Sequence, residues 1–406
     1  MKRLLFVIPY LNEGGAQRAL SNIMRNLPED LEADVLVNSA NTRKYPIKGN
    51  ILSLHIDEEA KTSSLLFQIK AFRKRVSVLK ELKSQNKYAA CISFIDSANI
   101  TNIISSRLLK GNHNKTIISV RTSLRESAKR QAQYKYIVRP LAKLMYRKAD
   151  AVVAVSEELR RELIEDLNLK ADRVVTITNG FNVEELRQLS KESIDDSIQK
   201  VLSGKKEIFT AGRLNFAKNQ WHLIRAFSYI KKSFPDTVLV LAGTGELDGY
   251  LHELADGLGL REDVVFLGFE KNVYRYLLRS DVFVLPSAFE GFPNALGEAL
   301  CVGVPCVATD FKTGARELLA PELLFDGSEI DAATECKYGI LVPNCSGIRY
   351  GADDPLEKSE KELADAIIRI ISDNGISEKY KHMSVERSKD LDIKCAVKKW
   401  IEVIEG

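Results

Sequence analysis

Short apolar runs alternate with longer stretches of helical periodicity in the first half of the chain. The runs are nearly continuous, which is typical of strands covered on both faces in a parallel sheet. They predict strands at Leu4–Ile8, Asp34–Asn38, Ile51–Leu54, Ala89–Phe94, Thr116–Val120, Ala151–Val155 and Val174–Ile177. The helical stretches between them are Ala16–Leu27, Leu65–Lys83, Ala98–Leu109, Ser127–Lys148 and Ser156–Leu167, the last with Ser156 as its N-cap. This repeated strand–helix unit predicts a doubly wound parallel sheet.

The alternation stops over residues 182–204, which are polar and carry no strand pattern, and a second series begins at Glu207. Its predicted strands are Ile208–Ala211, Val238–Ala242, Val264–Leu267, Val282–Leu285, Cys306–Thr309 and Gly339–Val342. Residues 343–357 predict a loop, and the helices predicted after it are Ser359–Ser372, Ser377–Ser388 and Ile393–Ile404. We therefore expect an α/β protein with two Rossmann-like doubly wound domains that face each other across a cleft. Residues 1–181 would form the first domain and residues 182–390 the second, with a C-terminal helix at 391–406 packing back on the first.

Length and composition agree with a folded protein of two or three domains. The chain has 406 residues, 45% hydrophobic and 28% charged, which excludes a disordered or collagen-like chain. It has no run of roughly 18 uncharged apolar residues, the length that a membrane span needs. The N-terminal apolar run leads into Asn12 and Glu13 without a signal-peptide cleavage pattern, so we expect a strand and a cytoplasmic protein. The six cysteines form no CxxC motif and no zinc spacing with histidine, so we expect buried, reduced thiols.

The net charge of +4 conceals a difference between the two halves of the chain. Residues 1–150 carry 27 Lys and Arg against 12 Asp and Glu, whereas residues 151–406 carry 32 against 43. Such an asymmetry suggests that the first half faces an anionic partner.

The basic residues are densest in the predicted helix that ends the first half. Lys135, Arg139, Lys143 and Arg147 recur every four positions, so one helix face would carry them, and Pro140 would break or kink the helix. Two interpretations fit: a solvated helix face, or a surface over residues 121–148 for anionic lipid or for a lipid diphosphate acceptor. No nucleic-acid-binding motif accompanies these residues, so no nucleic-acid partner is expected.

Ligands of doubly wound domains bind beyond the carboxyl ends of the strands, so the loops there are the candidate sites. Gly14–Gly15, after the first strand, either let the backbone approach a ligand or form a tight turn. Arg213 and Lys218, in the first such loop of the second series, suit phosphate oxygens but also suit a solvated loop. Gly243–Thr244–Gly245 lacks the correctly placed third glycine of a dinucleotide fingerprint, so NAD binding is not expected.

The segment after Val282–Leu285 is more specific, because Glu290 and Glu298 enclose seven residues there. If Pro293 is the first helical position, Glu298 lies near the start of a helix and Glu290 in the loop before it. Gly291 and the first amides of that helix suit phosphate, and a carboxylate beyond them suits sugar hydroxyls. Taken singly, each glutamate also fits an ordinary turn or helix-start position. Both together, in a loop where a ligand is expected, favour a binding site.

These motifs, in this order, resemble the GT-B glycosyltransferases of family 4 over nearly the whole chain. The matching residues are Gly14–Gly15, Gly212–Arg213…Lys218–Asn219, Gly243–Thr244–Gly245, Glu290-x7-Glu298 and Thr313–Gly314…Glu317. The resemblance implies a retaining enzyme that takes a hexose or N-acetylhexosamine from a nucleotide diphosphate sugar, usually a UDP-sugar. Together with the basic first half, it favours a lipid-linked or growing surface-polysaccharide acceptor at the inner face of the membrane.

The resemblance also implies roles for individual residues. Arg213 and Lys218 would hold the diphosphate, Glu290 would contact the donor sugar, and Glu298 the ribose. The other implied substrate-binding residues are Gly14, Gly15, Arg121, Gly243, Phe269, Gly291, Phe292, Pro293, Asn294 and Ala295. No metal or other cofactor is expected, because fixed cations and amides can stabilise the leaving diphosphate and the departing phosphate can take the acceptor proton.

One position departs from the family pattern. Some members have a histidine after the strand corresponding to Thr116–Val120, whereas this chain has Arg121 there, for which we expect an acceptor-facing or phosphate-facing role. The chain's own histidines, expected in surface or structural positions, are His55, His113, His222, His252 and His382. Two alternative functions fit the same architecture: a nucleotide-sugar epimerase or hydrolase, and a non-catalytic sugar-nucleotide-binding subunit.

Overall fold

The protein consists of two compact units. The computed structural model describes residues 2–12, 14–40, 45–56, 65–85, 87–109, 111, 114–311, 313–324 and 327–406, so Glu13 and His113 lie outside the described residues. One unit extends to Gly180 and also contains Ile393–Gly406, and the other is Phe181–Asp392. Each unit is built on a seven-stranded sheet.

The sheet of the first unit is parallel throughout, with the order β3-β2-β1-β4-β5-β6-β7. Its strands are β1 Lys2–Val7, β2 Leu31–Val37, β3 Asn50–Ser53, β4 Ala90–Phe94, β5 Lys115–Val120, β6 Ala151–Ala154 and β7 Val174–Thr176. The strands predicted in the first half of the sequence are confirmed, with small differences at their ends.

The helices of the first unit cover both faces of this sheet, as a doubly wound fold requires. They are α1 Gly15–Arg25, α2 Leu65–Ser84, α3 Asp96–Arg107, α4 Leu124–Arg130, α5 Arg139–Met145, α6 Glu157–Leu167 and the C-terminal helix Ile393–Glu405. The Ser156 side chain accepts a hydrogen bond from Leu159 N, which confirms it as the N-cap of α6. The C-terminal helix buries Trp400 in the core of this unit, where the indole stacks on Phe94 with ring centroids 5.7 Å apart.

The helical stretch predicted over Ser127–Lys148, with a break or kink at Pro140, is interrupted earlier than expected, because the backbone is extended at Gln131. After α4 the chain forms a π-helical turn at Tyr134–Val138, then α5, then a 3-10 turn at Tyr146–Lys148. Pro140 is the second residue of α5 and has no N–H to donate, and it directly follows the π-helical turn, in which Arg139 N–H donates to the carbonyl of Tyr134. The basic side chains spaced four apart therefore lie on three different helical geometries and do not form one regular face.

The sheet of the second unit has the order β10-β9-β8-β11-β12-β14-β13 and is parallel except for the β13–β14 pair. Its strands are β8 Lys206–Ala211, β9 Thr237–Ala242, β10 Val264–Gly268, β11 Val282–Leu285, β12 Cys306–Thr309, β13 Thr334–Glu335 and β14 Ile340–Val342. The predicted strands are confirmed, and the short antiparallel β13 is additional. The two sheets therefore confirm the predicted α/β class.

The helices of the second unit include two within the polar stretch that interrupts the strand pattern, α7 Val183–Leu189 and α8 Asp196–Leu202. The others are α9 Gln220–Ser233, α10 Asp248–Gly257, α11 Tyr274–Leu277, α12 Asn294–Val302, α13 Ala315–Leu319, α14 Lys358–Ser372 and α15 Asn374–Ser388. Residues 343–357 form no helix or strand, as predicted. Among the described residues, no helix is long and apolar enough to cross a membrane.

All six cysteines are free, and five are buried. Burial raises the pKa of the Cys336 thiol to about 11 and that of Cys301 further, so neither is a reactive thiolate at neutral pH. Cys395 is the exception to the expected burial, because it lies on the exposed side of the C-terminal helix.

Candidate functional site

The loops after β8 and β11 meet because these strands are neighbours in the second sheet. Lys218 Nζ lies 2.5 Å from Glu290 Oε1, and both side chains are less than one-fifth exposed. Ser287 Oγ donates to the same carboxylate oxygen at 2.8 Å, which fixes the orientation of the carboxylate. The hydroxyl of Thr313 donates to the backbone carbonyl of Glu290. Two candidate site residues that lie 72 positions apart in sequence thus form one partly buried, oriented ion pair.

Arg213 lies in the same loop as Lys218 but has a different environment. Its side chain is exposed and makes no hydrogen bond or ion pair with the part of the chain that the structure describes. Asn215 Oδ1 accepts a hydrogen bond from Lys218 N, which closes the 3-10 turn Phe216–Lys218 ahead of α9. The loop therefore presents the Arg213 cation to solvent and the Lys218 cation to the Glu290 carboxylate. An anionic ligand could bind Arg213 and replace Glu290 as the partner of Lys218.

Gly243 explains how this loop is held. Its backbone has φ +145°, and a Cβ there would lie 1.9 Å from the carbonyl oxygen of Gly212. A Cβ at Gly245 would lie 2.1 Å from the carbonyl oxygen of Leu214. The glycines predicted at a turn thus let the loop after β9 pack directly against the loop that carries Arg213.

The helix after Glu290 begins one residue later than predicted. Pro293 is the N-cap of α12 and Asn294 its first residue, so Pro293 is not the first helical position. Its ring packs against the loop before α13, where a Cβ on Gly314 would lie 2.4 Å from Pro293 Cδ. Phe292 is buried, whereas Gly291, Asn294 and Ala295 are partly exposed. Asn294 and Ala295 therefore form an accessible first turn of α12, while Glu298 lies in its second turn and is 5% exposed.

Phe269 stands apart from this cluster within the second unit. It follows β10, an edge strand, and is 63% exposed, which is unusual for a large apolar side chain. The contacts of Phe269 with the described residues do not indicate a ligand, so its substrate-binding role stays a prediction.

A buried charged network, not predicted from the sequence, joins α9 to the first turn of α14 and to the segment before it. Glu360 is fully buried and accepts from Arg225 Nε at 2.7 Å, and it lies 2.8 Å from His222 Nδ1. Arg225 also donates to the backbone carbonyls of Gly351, Asp354 and Pro355. The network holds residues 351–360 against α9, the helix that follows Lys218.

Beside this network, three side chains of metal-ligating type come together among the described residues. Single ligand atoms of His222, Cys345 and Glu357 lie within 4.8 Å of one another. However, Glu357 Oε1 already accepts from Ser346 N and Ser359 Oγ. Hydrogen bonding thus accounts for this carboxylate, and we assign no metal to the cluster. The expectation that the chemistry needs no metal stays a prediction.

The remaining predicted residues belong to the first unit. Gly14 is the N-cap of α1, and its carbonyl accepts from Arg18 N at 3.0 Å. Gly15 is the first residue of that helix. Arg121 follows β5 and is 8% exposed, with its guanidinium donating to Asn179 and, at 3.4 Å, to Ser119 Oγ.

Two family profiles match the chain in succession. One described as Glycosyltransferase Family 4 matches residues 13–185, and one described as Glycosyl transferases group 1 matches residues 192–335. An uncharacterized glycosyltransferase of Methanocaldococcus jannaschii is 32% identical over 355 residues, covering 86% of each chain. The chain belongs to the group 1 and family 4 glycosyltransferases. Two further likenesses are informative for this glycosyltransferase.

The first is the N-acetylgalactosamine-N,N'-diacetylbacillosaminyl-diphospho-undecaprenol 4-alpha-N-acetylgalactosaminyltransferase of Campylobacter jejuni. It is 25% identical over 393 residues, which are 97% of this chain and 96% of that protein. The second is the crystal structure of Anabaena HepE in complex with UDP, which has a TM-score of 0.73 at 20% identity and full coverage of both chains. That likeness shows the GT-B fold, as the resemblance implied.

Proposed function

We propose that this glycosyltransferase is retaining and moves a hexose or N-acetylhexosamine from a UDP-sugar to a lipid-linked or growing surface-polysaccharide acceptor. The observation that carries the proposal is the contact between Lys218 Nζ and Glu290 Oε1 at 2.5 Å, beside the exposed Arg213. The cations suit a diphosphate, and the oriented carboxylate suits sugar hydroxyls. The named relatives support this assignment, since one acts on a diphospho-undecaprenol-linked glycan and another was crystallised with UDP.

In the proposed reaction, the bond between the anomeric carbon and the diphosphate oxygen breaks while the acceptor oxygen bonds to the same carbon on the same face. The acceptor proton passes to the departing phosphate oxygen. Lys218 and Arg213 stabilise the negative charge that develops on the leaving diphosphate. Glu290, held by Ser287, orients the donor sugar. Because these groups are fixed before the reaction, they stabilise the transition state with little reorganisation.

The test is sugar transfer from UDP-hexoses and UDP-N-acetylhexosamines to an undecaprenyl-diphosphate-linked saccharide, measured by mass spectrometry. Lys218→Ala and Glu290→Gln should each lower kcat/KM by about 100-fold or more, the usual effect of losing one transition-state contact. Lys232→Ala and Glu253→Gln, exposed residues of the same unit, are the matched controls and should transfer normally. Wild-type turnover by folded Lys218→Ala would contradict the proposal.

Two additions to the same assay separate the alternatives. Without acceptor, the donor should stay intact, because conversion or hydrolysis of the UDP-sugar alone would favour an epimerase or a hydrolase. Turnover should survive EDTA, because Lys218 and Arg213 supply the positive charge. A failure of the isolated chain to transfer any sugar would favour a non-catalytic subunit.

We also propose that residues 121–148 contact an anionic membrane surface. Tyr136, Ile137 and Leu144 are 69%, 59% and 49% exposed, and the exposed cations Lys135 and Lys143 accompany them. Exposed apolar side chains beside lysines are typical of an interfacial segment. Arg139 differs from these lysines, since it is paired with Asp166 at 3.0 Å within the protein.

Vesicle co-sedimentation tests the membrane proposal. Lys135→Glu with Lys143→Glu should release the protein from vesicles containing phosphatidylglycerol, because two attractions become repulsions. Lys200→Glu with Lys232→Glu gives the same change of charge in the second unit and should leave binding intact. Equal binding of all three proteins, or equal binding to neutral vesicles, would contradict the proposal.

A further inference from the structure

Arg121 is a buried guanidinium without a carboxylate partner. It is 8% exposed and lies directly after β5, at the carboxyl end of the first sheet. Its hydrogen bonds go to neutral oxygens of Asn179 and Ser119, and its guanidinium carbon lies 5.3 Å from the centroid of the Phe94 ring. Across the described residues, no Asp or Glu lies within ion-pair distance of this side chain.

Several other buried or half-buried arginines have a carboxylate partner, although Arg75, whose Nε donates to Asn38 Oδ1, does not. Arg225, which is 1% exposed, has Glu360 at 2.7 Å, and Arg316 has Asp310 at 2.6 Å. Four positions after Arg121, Arg125 donates to Asp166 at 2.7 Å. Removing a guanidinium from water without a counter-charge is unfavourable. Burial accordingly lowers the pKa of Arg121 to about 9, whereas the contact with Asp166 raises the pKa of Arg125 above its ordinary value.

The acid at the end of the adjacent strand is already engaged. Asp96 follows β4 and accepts hydrogen bonds from Tyr146 Oη at 2.7 Å and Tyr134 Oη at 3.1 Å. Burial raises the pKa of this carboxyl group, while the two tyrosine hydroxyls oppose that shift. Asp96 therefore has its own partners and does not neutralise Arg121.

We propose that Arg121 forms a subsite for a substrate phosphate group, which supplies the missing negative charge when it binds. The carboxyl end of a doubly wound sheet is where ligands of this fold class bind. A guanidinium presents paired N–H donors that match two phosphate oxygens. The inference rests on the proposed function, in which both substrates carry a diphosphate: the acceptor through its lipid link and the donor through its nucleotide.

Calorimetric titration of the full chain separates these two sources. Farnesyl diphosphate represents the acceptor, farnesol is its uncharged counterpart, and UDP represents the donor. Arg121→Gln should weaken binding of farnesyl diphosphate about 10- to 100-fold, the range expected for losing a charged hydrogen bond, and leave UDP binding unchanged. A loss confined to UDP would assign the subsite to the donor phosphate. Arg121→Lys should retain part of the affinity, because lysine keeps the positive charge but lacks the paired N–H donors of the guanidinium.

Asn179→Asp provides a second test that preserves side-chain size. It places a carboxylate beside the guanidinium, so it should raise the melting temperature and at the same time weaken phosphate binding. If Arg121 had only a structural role, the melting temperature would rise and the affinity would not change. Arg125→Gln is the matched control, which removes an arginine that is already paired with Asp166 and should reduce stability without changing phosphate affinity.

The outcomes distinguish this subsite from the transferase assignment. Unchanged affinities of folded Arg121→Gln and Asn179→Asp for both phosphate ligands would overturn the subsite even if the wild type transfers sugar. A wild type that binds neither ligand would overturn it as well. If these variants lose phosphate binding and the wild-type protein transfers no sugar, the first result would support the subsite and the second would contradict the proposed function.

Discussion

Glu360→Gln should strongly destabilise the second unit. The Arg225–Glu360 pair is almost fully buried, with side chains 1% and 0% exposed, and joins by two hydrogen bonds of 2.7 and 3.2 Å. The substitution conserves the shape of the side chain and removes its negative charge. The guanidinium of Arg225 then has only neutral acceptors, which are the new glutamine amide oxygen and the backbone carbonyl oxygens. Breaking one side of a buried pair lowers the free energy of unfolding by about 3–5 kcal/mol. We expect the lower end, about 3 kcal/mol, because three carbonyl acceptors of residues 351–355 remain.

Urea unfolding followed by the fluorescence of Trp221 measures this effect. Trp221 Nε1 donates to the carbonyl of Ile348 at 2.9 Å, so its emission reports on the segment that the network holds. The only other tryptophan, Trp400, is replaced by Phe in wild type and variants alike. Glu378→Gln is the matched control, since its side chain is 71% exposed and pairs with Lys381 at 2.8 Å. Loss of such a surface pair should cost under about 1 kcal/mol.

If Glu360→Gln lowers the free energy of unfolding by no more than Glu378→Gln does, the buried pair does not hold residues 351–360 against α9. The reasoning about unpaired buried charge would then be wrong for this unit.

Two further predictions concern pH dependence and loop packing. Burial raises the pKa of Glu207 to about 7, above its unfolded value of about 4.3. The folded protein therefore binds this proton more tightly than the unfolded chain does, and the resulting stabilisation is lost as the pH rises from about 4.3 to about 7. Glu207→Gln should therefore gain up to ~3 kcal/mol over the wild type between pH 4 and pH 8 in urea titrations, and a pH-independent difference would refute this. Gly243→Ala should displace the Arg213 loop and weaken UDP binding in calorimetry, because its Cβ would clash with the carbonyl of Gly212. Gly249→Ala, with nothing within 4 Å, is the control, and equal UDP affinity of both variants would contradict the packing argument.

The two sheets could be predicted because their strands are buried on both faces. Segments such as Val282–Leu285 are apolar at every position, and that pattern depends on local sequence alone. Helix continuity was less predictable. The periodicity of residues 127–148 is helical, but the backbone is extended at Gln131 and a π-helical turn precedes Pro140, and the periodicity signals neither feature.

The candidate site was predictable only where its residues follow strands. Lys218 and Glu290 lie after β8 and β11, so the parallel sheet brings them to the same edge. The Arg225–Glu360 network had no such signal, since its members lie 135 positions apart and neither follows a strand. Burial of a charged side chain depends on the partner that the tertiary fold supplies, and sequence spacing does not reveal that partner.

The most direct test of the central claim is the anomeric configuration of the product, measured by ¹H NMR during transfer from an α-linked UDP-sugar. The wild type should form an α-linked product, identified by the small coupling of its anomeric proton, and Lys218→Ala should form almost none. A β-linked product would show that the enzyme inverts. An α-linked product formed equally by Lys218→Ala would show that the pair with Glu290 does not carry the reaction.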